Sequence, residues 1–97
     1  MPLALDPVIH QETRLRLMAL LAGLGDGARV EFSWLKAALK VTEGNLSSHL
    51  SRLEEVGYVE VEKGYQGKRP RTRVRLTSKG KAAYEAHRRA LLALLQG

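Results

Sequence analysis

Polar and apolar residues alternate along this 97-residue chain with two different periods, and the changes between them mark its elements. In EGNLSSHLSRLEE (43–55), Leu46, Leu50 and Leu53 recur at helical spacing and form one apolar stripe, with Thr42 placed to cap the helix. Upstream, a shorter helix from Trp34 to about Lys40 is predicted, capped by Ser33, with Leu35, Ala38 and Leu39 inward. In YVEVEKG (58–64) the period drops to two, with Val59 and Val61 on one face and Glu60 and Glu62 on the other. RTRVRL (71–76) alternates in the same way, setting Arg71, Arg73 and Arg75 opposite Thr72, Val74 and Leu76. QGKRP (66–70) between them carries turn residues, so the two runs predict a β-hairpin.

Both ends read as helices. Asp6 as N-cap and Pro7 at the first helical position predict a helix over about 6–24, stopped by Gly23, Gly25, Asp26 and Gly27. Its Leu15, Leu17, Met18, Leu20, Leu21 and Leu24 spread nearly all round the axis. Such a helix wants cover on every side, and in so short a chain a second subunit is the expected cover. ARVEF (28–32) is β-prone, and Thr77 caps a last helix over about 78–95. Ala83, His87, Ala90, Leu91 and Leu94 line one face of that helix, and Tyr84, Leu92 and Leu95 widen it. The order is α-β-α-α-β-β-α: a mainly α chain with a small β-hairpin (α+β), read as one domain over 1–97.

Charge sharpens this picture. The net charge is +6, and Lys63, Lys68, Arg69, Arg71, Arg73, Arg75, Lys79 and Lys81 follow one another with no acid between them. A run of one sign repels itself and favours a polyanionic partner, nucleic acid or an anionic membrane surface. No apolar run is long enough to cross a bilayer, so no membrane-spanning helix is expected; of the two polyanions nucleic acid is the expected partner, and no membrane. The N-terminal MPLALDPVIH lacks a basic segment, which predicts no secretory signal. The absence of cysteine excludes thiolate metal sites, disulfides and cysteine nucleophiles, and agrees with the reducing cytoplasm as the expected compartment.

No enzyme is expected, and no cofactor. Ser47, Ser48 and Ser51 have His49 nearby, but helical neighbours one apart do not face each other. A phosphate-cradling loop with lysine and a dinucleotide fingerprint are both missing. Neither His10 nor His87 has a carboxylate four residues on, so no metal centre is expected and His87 reads as a core or interface residue. His49 either bonds a phosphate or fills space near the turn. Tyr65 and Gln66 either reach nucleic acid or serve the hairpin.

Opposite the leucine stripe of 43–55 lie Gly44, Ser48, Ser51, Arg52 and Glu55, flanked by Asn45 and Ser47. A face this small and this rich in donors and acceptors suits a DNA major groove, with phosphate at the helix start. A solvent-facing helix that tolerates serine would look the same. The context decides between them: a helix precedes across a turn of a few residues, as in a helix-turn-helix, and a basic hairpin follows.

The stretch FSWLKAALKVTEGNLSSHLSRLEEVGYVEVEKGYQGKRPRTRVRLTSKGKAAYEAH resembles the winged-helix transcriptional regulators of the MarR/ArsR-like superfamily. The nearest likeness is to their small single-domain, MarR-related winged helix DNA-binding group. GNLSSHLSRLEEVGYV, LTSKG and the basic segment between carry the likeness, which runs from about Asp6 to Leu95. The resemblance implies a winged helix-turn-helix and a homodimeric repressor or regulator on double-stranded DNA; two-fold symmetry then predicts an inverted-repeat operator. Helix 43–55 would enter the major groove, the wing 63–75 would follow the backbone or minor groove, and helices 6–24 and 78–95 would form the dimer interface. By position it assigns Thr42, Gly44, Asn45, Ser47, Ser48 and Arg52 to the recognition helix, and Lys68, Arg69, Arg71 and Arg73 to the wing. The chain lacks the cysteine ligands of metal-sensing relatives and is shorter than most MarR proteins, which build an effector pocket from longer helices. Two other readings stand beside this one. The first is a winged-helix protein–protein interaction module without sequence-specific DNA binding. The second adds an unknown small-molecule effector at the dimer interface.

Overall fold

The computed structural model describes residues 5–97; residues 1–4, which open the MPLALDPVIH stretch and the 1–97 domain, lie outside it. The chain runs α1 (Glu12–Gly23), β1 (Arg29–Glu31), α2 (Phe32–Leu39), α3 (Glu43–Glu55), β2 (Val59–Gln66), β3 (Arg69–Leu76) and α4 (Ser78–Gln96). The predicted order therefore stands. The leucine stripe of α3 is buried, as are Leu17, Met18 and Leu21 of α1 and Leu35 and Leu39 of α2. Val59, Val74 and Leu76 close the core from the sheet.

The sheet is antiparallel in the order β1-β3-β2, with Val30 and Val61 both opposite Val74. Gln66 pairs with Arg69, which contracts the expected turn to Gly67-Lys68. Gly67 takes a φ of 63° while Lys68 does not turn positive, the requirement of a type II′ hairpin. Pro70 is accommodated because β1 pairs only with residues 73–75, so no third strand seeks an N–H from it.

Three sequence expectations are corrected. α1 begins at Glu12, not near residue 6. Asp6 does cap, but it caps a separate turn: its Oδ1 accepts from the N–H of Val8 at 2.9 Å and of Ile9 at 3.3 Å. The chain then extends at Gln11, whose side chain caps α1 through the Arg14 N–H at 2.9 Å. This break lets Val8 and Ile9 fold into the core. α2 begins at Phe32, straight out of β1, so Ser33 lies inside the helix and Glu31 holds the N-cap position without a side-chain bond. Ala38 is exposed; only Leu35 and Leu39 are buried on that helix.

Thr77 fastens α4 to the root of the hairpin. Its hydroxyl donates to Gly57 O at 2.6 Å and accepts from Gly80 N–H at 2.9 Å, and its N–H donates to Tyr58 O at 3.0 Å. Gly80, the glycine of LTSKG, is buried so close to Tyr58 O that a Cβ there would lie inside van der Waals contact, and 2.9 Å from Leu76 Cδ1.

The N-terminal turn is held on α4 by a buried histidine. Asp6 N–H donates to His87 Nδ1 at 3.0 Å, so that nitrogen carries no proton, and Nε2–H is left to face His10 Nδ1 at 3.4 Å. Asp6 Oδ2 accepts from the Tyr58 hydroxyl at 2.5 Å. That bond, with burial and the Asp6 charge, pushes the Tyr58 phenol up to about 12. Burial raises the Asp6 carboxyl, but the bonds from Tyr58, Val8 and Ile9 outweigh it and hold it below its usual range. Burial, helped by His10 and opposed by Asp6, holds His87 below its ordinary value of 6.5.

Two outcomes follow. Gly80→Ala should destabilise the fold by about 1–3 kcal/mol, the usual penalty for forcing atoms into a packed site, as read by urea denaturation. His87 is neutral in the fold, whereas the unfolded histidine takes up a proton as pH falls below about 6.5. Its contribution to stability is therefore intact above that pH and drains away below it. The urea midpoint should be lower at pH 5.5 than at pH 7.5. His87→Asn, whose amide oxygen can accept the same N–H without titrating, should remove part of that difference; an unchanged difference would exclude His87 as its source.

Candidate nucleic-acid interface

The outer face of the N-terminal half of α3 is open to solvent. Thr42 accepts from Asn45 N–H at 3.1 Å, so the helix starts where the sequence places it. With the leucines turned inward, Thr42, Gly44, Asn45, Ser47, Ser48 and Arg52 are all exposed. Gly44 is informative because the fold does not require it. No protein atom lies within 4 Å of the position its Cβ would take. Gly44 is the second residue of α3, where glycine costs less than the roughly 1 kcal/mol it costs relative to alanine in a helix interior, but still gains the fold nothing. The space a side chain would take there is open. Arg52 lies 3.4 Å from Glu55, a loose exposed pair.

A groove of about 300 Å³ separates α3 from the hairpin, with Ser47, Ser51 and Glu54 on the helix side and Val61, Lys63 and Thr72 on the strand side. Lys63 belongs to this groove because strand alternation carries it onto the face of Val59 and Val61. Lys63 is not among the wing residues that the family likeness assigns, although one further step of the Val59–Val61 alternation reaches it. Lys68 and Arg69 are exposed at the tip beside Tyr65, which is 76% exposed.

Arg71 and Arg73 stand differently. Alternation places them with Arg75 on the sheet face that turns away from Val59, Val61 and Val74, where carboxylates meet them. Arg71 bonds Glu31 through its Nε. Arg73 Nη2 lies 3.5 Å from Glu62, which also accepts from Arg29 Nε at 2.9 Å. Arg75 Nη2 lies 2.5 Å from Glu60. Near the start of α4, Lys81 Nζ is 2.6 Å from Asp26, which raises its pKa. The Arg29 bond holds the Glu62 carboxyl below its usual range. The acid-free run of the sequence is thus half neutralised by acids from elsewhere in the chain. Of its eight cations, Lys63, Lys68, Arg69 and Lys79 make no ion pair among the described residues, and Lys79 lies 5.9 Å from the Tyr58 ring centre.

His49 is half-buried, and its Nδ1 accepts from Arg14 Nη1 at 3.1 Å. Burial and then the Arg14 charge hold it below its ordinary pKa, so that nitrogen serves the fold rather than phosphate. Among the described residues, no three histidine or acidic side chains converge as a metal site, and no helix is long and apolar enough to cross a membrane.

Comparison with known proteins follows the same outline. The family described as winged helix DNA-binding domain matches residues 13–95. An uncharacterized protein of Methanocaldococcus jannaschii is 38% identical over 78 residues, spanning 80% of this chain and 82% of its own. The solved structure of a transcriptional regulator homologue from Pyrococcus horikoshii OT3 superposes with a TM-score of 0.84 at 31% identity, covering 93% of this chain and 86% of that one. A structure assigned to the MarR family of transcriptional regulators, from Enterococcus faecalis V583, gives 0.70 at 28% identity over 92% and 74% of the two chains.

Proposed function

The chain belongs to the winged helix DNA-binding domain family, and from that premise we propose a homodimeric regulator that reads double-stranded DNA sequence-specifically and represses transcription. The observation that carries this reading is the exposed face of α3, with a glycine the fold does not require, set across a groove from an unpaired lysine. In this reading Asn45, Ser47 and Ser48 meet base edges, and Gly44 admits the groove floor. Thr42, Arg52, Lys63, Lys68 and Arg69 hold phosphate. Arg71 and Arg73 stand behind them, already bonded to carboxylates. Repression is the expected mode because a protein seated across a full helical turn excludes others from that DNA.

For the dimer contact we favour the end of α4 over the full length of helices 6–24 and 78–95. α1 is largely covered within the protomer, since Leu17, Met18 and Leu21 are buried and Leu15 and Leu20 pack partly against the core. Leu24 at the end of α1 and Trp34 on α2 are exposed too, at 41% and 45%, but the densest uncovered apolar surface is the far end of α4, where Leu92, Leu94 and Leu95 are 39%, 54% and 82% exposed. Pairing through that end would relate the two α3 helices by a two-fold axis and make the operator an inverted repeat, with half-sites about 10 base pairs apart.

Light scattering at micromolar concentration should return about twice the 10.8 kDa chain mass. Leu94→Glu should halve it without unfolding the protomer, because that side chain is half exposed there. A monomeric wild type would remove the dimer. Binding-site selection from random duplexes should enrich an inverted repeat for the wild type. Asn45→Ala and Ser48→Ala should change the preferred bases, at about 1–3 kcal/mol per lost base contact. Identical preferences in all three proteins would take these residues out of base readout. No enrichment for the wild type would favour a protein-interaction module instead.

A further inference from the structure

The outer face of the sheet is a regular lattice of opposite charges. Glu62 stands opposite Arg73 in register and Glu60 opposite Arg75, and each bonds that partner. Glu62 also takes Arg29, one diagonal step away on the far strand. Glu31 stands opposite Arg73 yet bonds Arg71, the arginine nearer the wing tip. Arg71 has Gly64 across from it on β2, which offers no side chain, so Glu31 is its partner.

Resting on the DNA-binding reading, we infer that Glu31 and Glu62 hold Arg71, Arg29 and Arg73 off the phosphate backbone, and so set the ratio of specific to non-specific DNA affinity. A cation that already faces a carboxylate must break that pair to reach a phosphate, and the exchange strands an anion beside a polyanion. Such a cation adds little to the counterion release that drives sequence-independent binding. The paired arginines remain within reach of solution, because Arg71 and Arg73 are 36% and 38% exposed, so burial is not what withholds them. The wing's indiscriminate grip then falls to Lys63, Lys68 and Arg69, which leaves discrimination to α3. Removing a carboxylate partner should release an arginine to any duplex, cognate or not.

The one-to-one pair Glu31–Arg71 allows a clean test. Affinities for the selected operator and an unrelated duplex are measured across a salt series for wild type, Glu31→Gln, Arg71→Gln and the double variant. Glu85→Gln on α4 serves as a one-charge control. Glu31→Gln should steepen the log–log salt slope on the unrelated duplex by about 0.9 and raise that affinity several-fold more than operator affinity. Arg71→Gln alone should change the wild-type slope by much less than 0.9, and the double variant should return to the wild-type slope. Circular dichroism melts separate these effects from loss of fold. The inference is overturned if Glu31→Gln matches the Glu85→Gln control. It is also overturned if Arg71→Gln flattens the wild-type slope by a full 0.9, or if the double variant keeps the gain. A wild type that binds neither duplex would overturn the DNA-binding reading itself, a result distinct from all three.

Discussion

Burial of Leu46, Leu50 and Leu53 is the interaction on which the rest of this protein depends. Each full burial contributes roughly 1.5–3 kcal/mol, and all three come from one short helix. They fix the rotation of α3 about its own axis, and with it the direction of every polar residue between them. A turn of the helix by one position would carry a serine into the core and a leucine out of it. The exposed polar face of α3 is thus held by the side chains that point away from it, and the Thr42 cap sets where along the helix that face begins.

Electrostatics is organised on the same division of faces. The hairpin has one side turned to the core and to α3, carrying valines and then Lys63, and one side turned outward, carrying arginines. The outward arginines meet acids supplied by β1 and β2. Exposed ion pairs of this kind add little stability one by one. Their weight lies in deciding which cations are committed and which are open to a partner.

What could be read from the sequence followed from local chemistry. The caps at Thr42 and Thr77, the leucine stripe and the hairpin are each specified by a few neighbouring residues, and each sits where the pattern put it. Asp6-Pro7 misled because an isolated turn and a long helix open with the same cap, and only the extended Gln11 separates them. Ser33 misled because β1 runs directly into α2, leaving no space for a cap. The pairing of Arg71 with Glu31 and of Lys81 with Asp26 joins residues 40 and 55 positions apart, which no local pattern encodes. On the wing the sequence exposed a charge run; strand order decided how much of it stayed free.

The junction at Thr77 has a mechanical consequence. Because Thr77 bonds both Gly57 and Tyr58, and Gly80 lies against the Tyr58 carbonyl, the hairpin root and α4 cannot hinge independently. α4 is 19 residues long, a rod of about 28 Å. In a dimer joined through its far end, a small change in the angle between two such rods would swing the wings through a longer arc. The distance between wing tips would then act as a calliper on the DNA, opened and closed from the opposite end of the molecule.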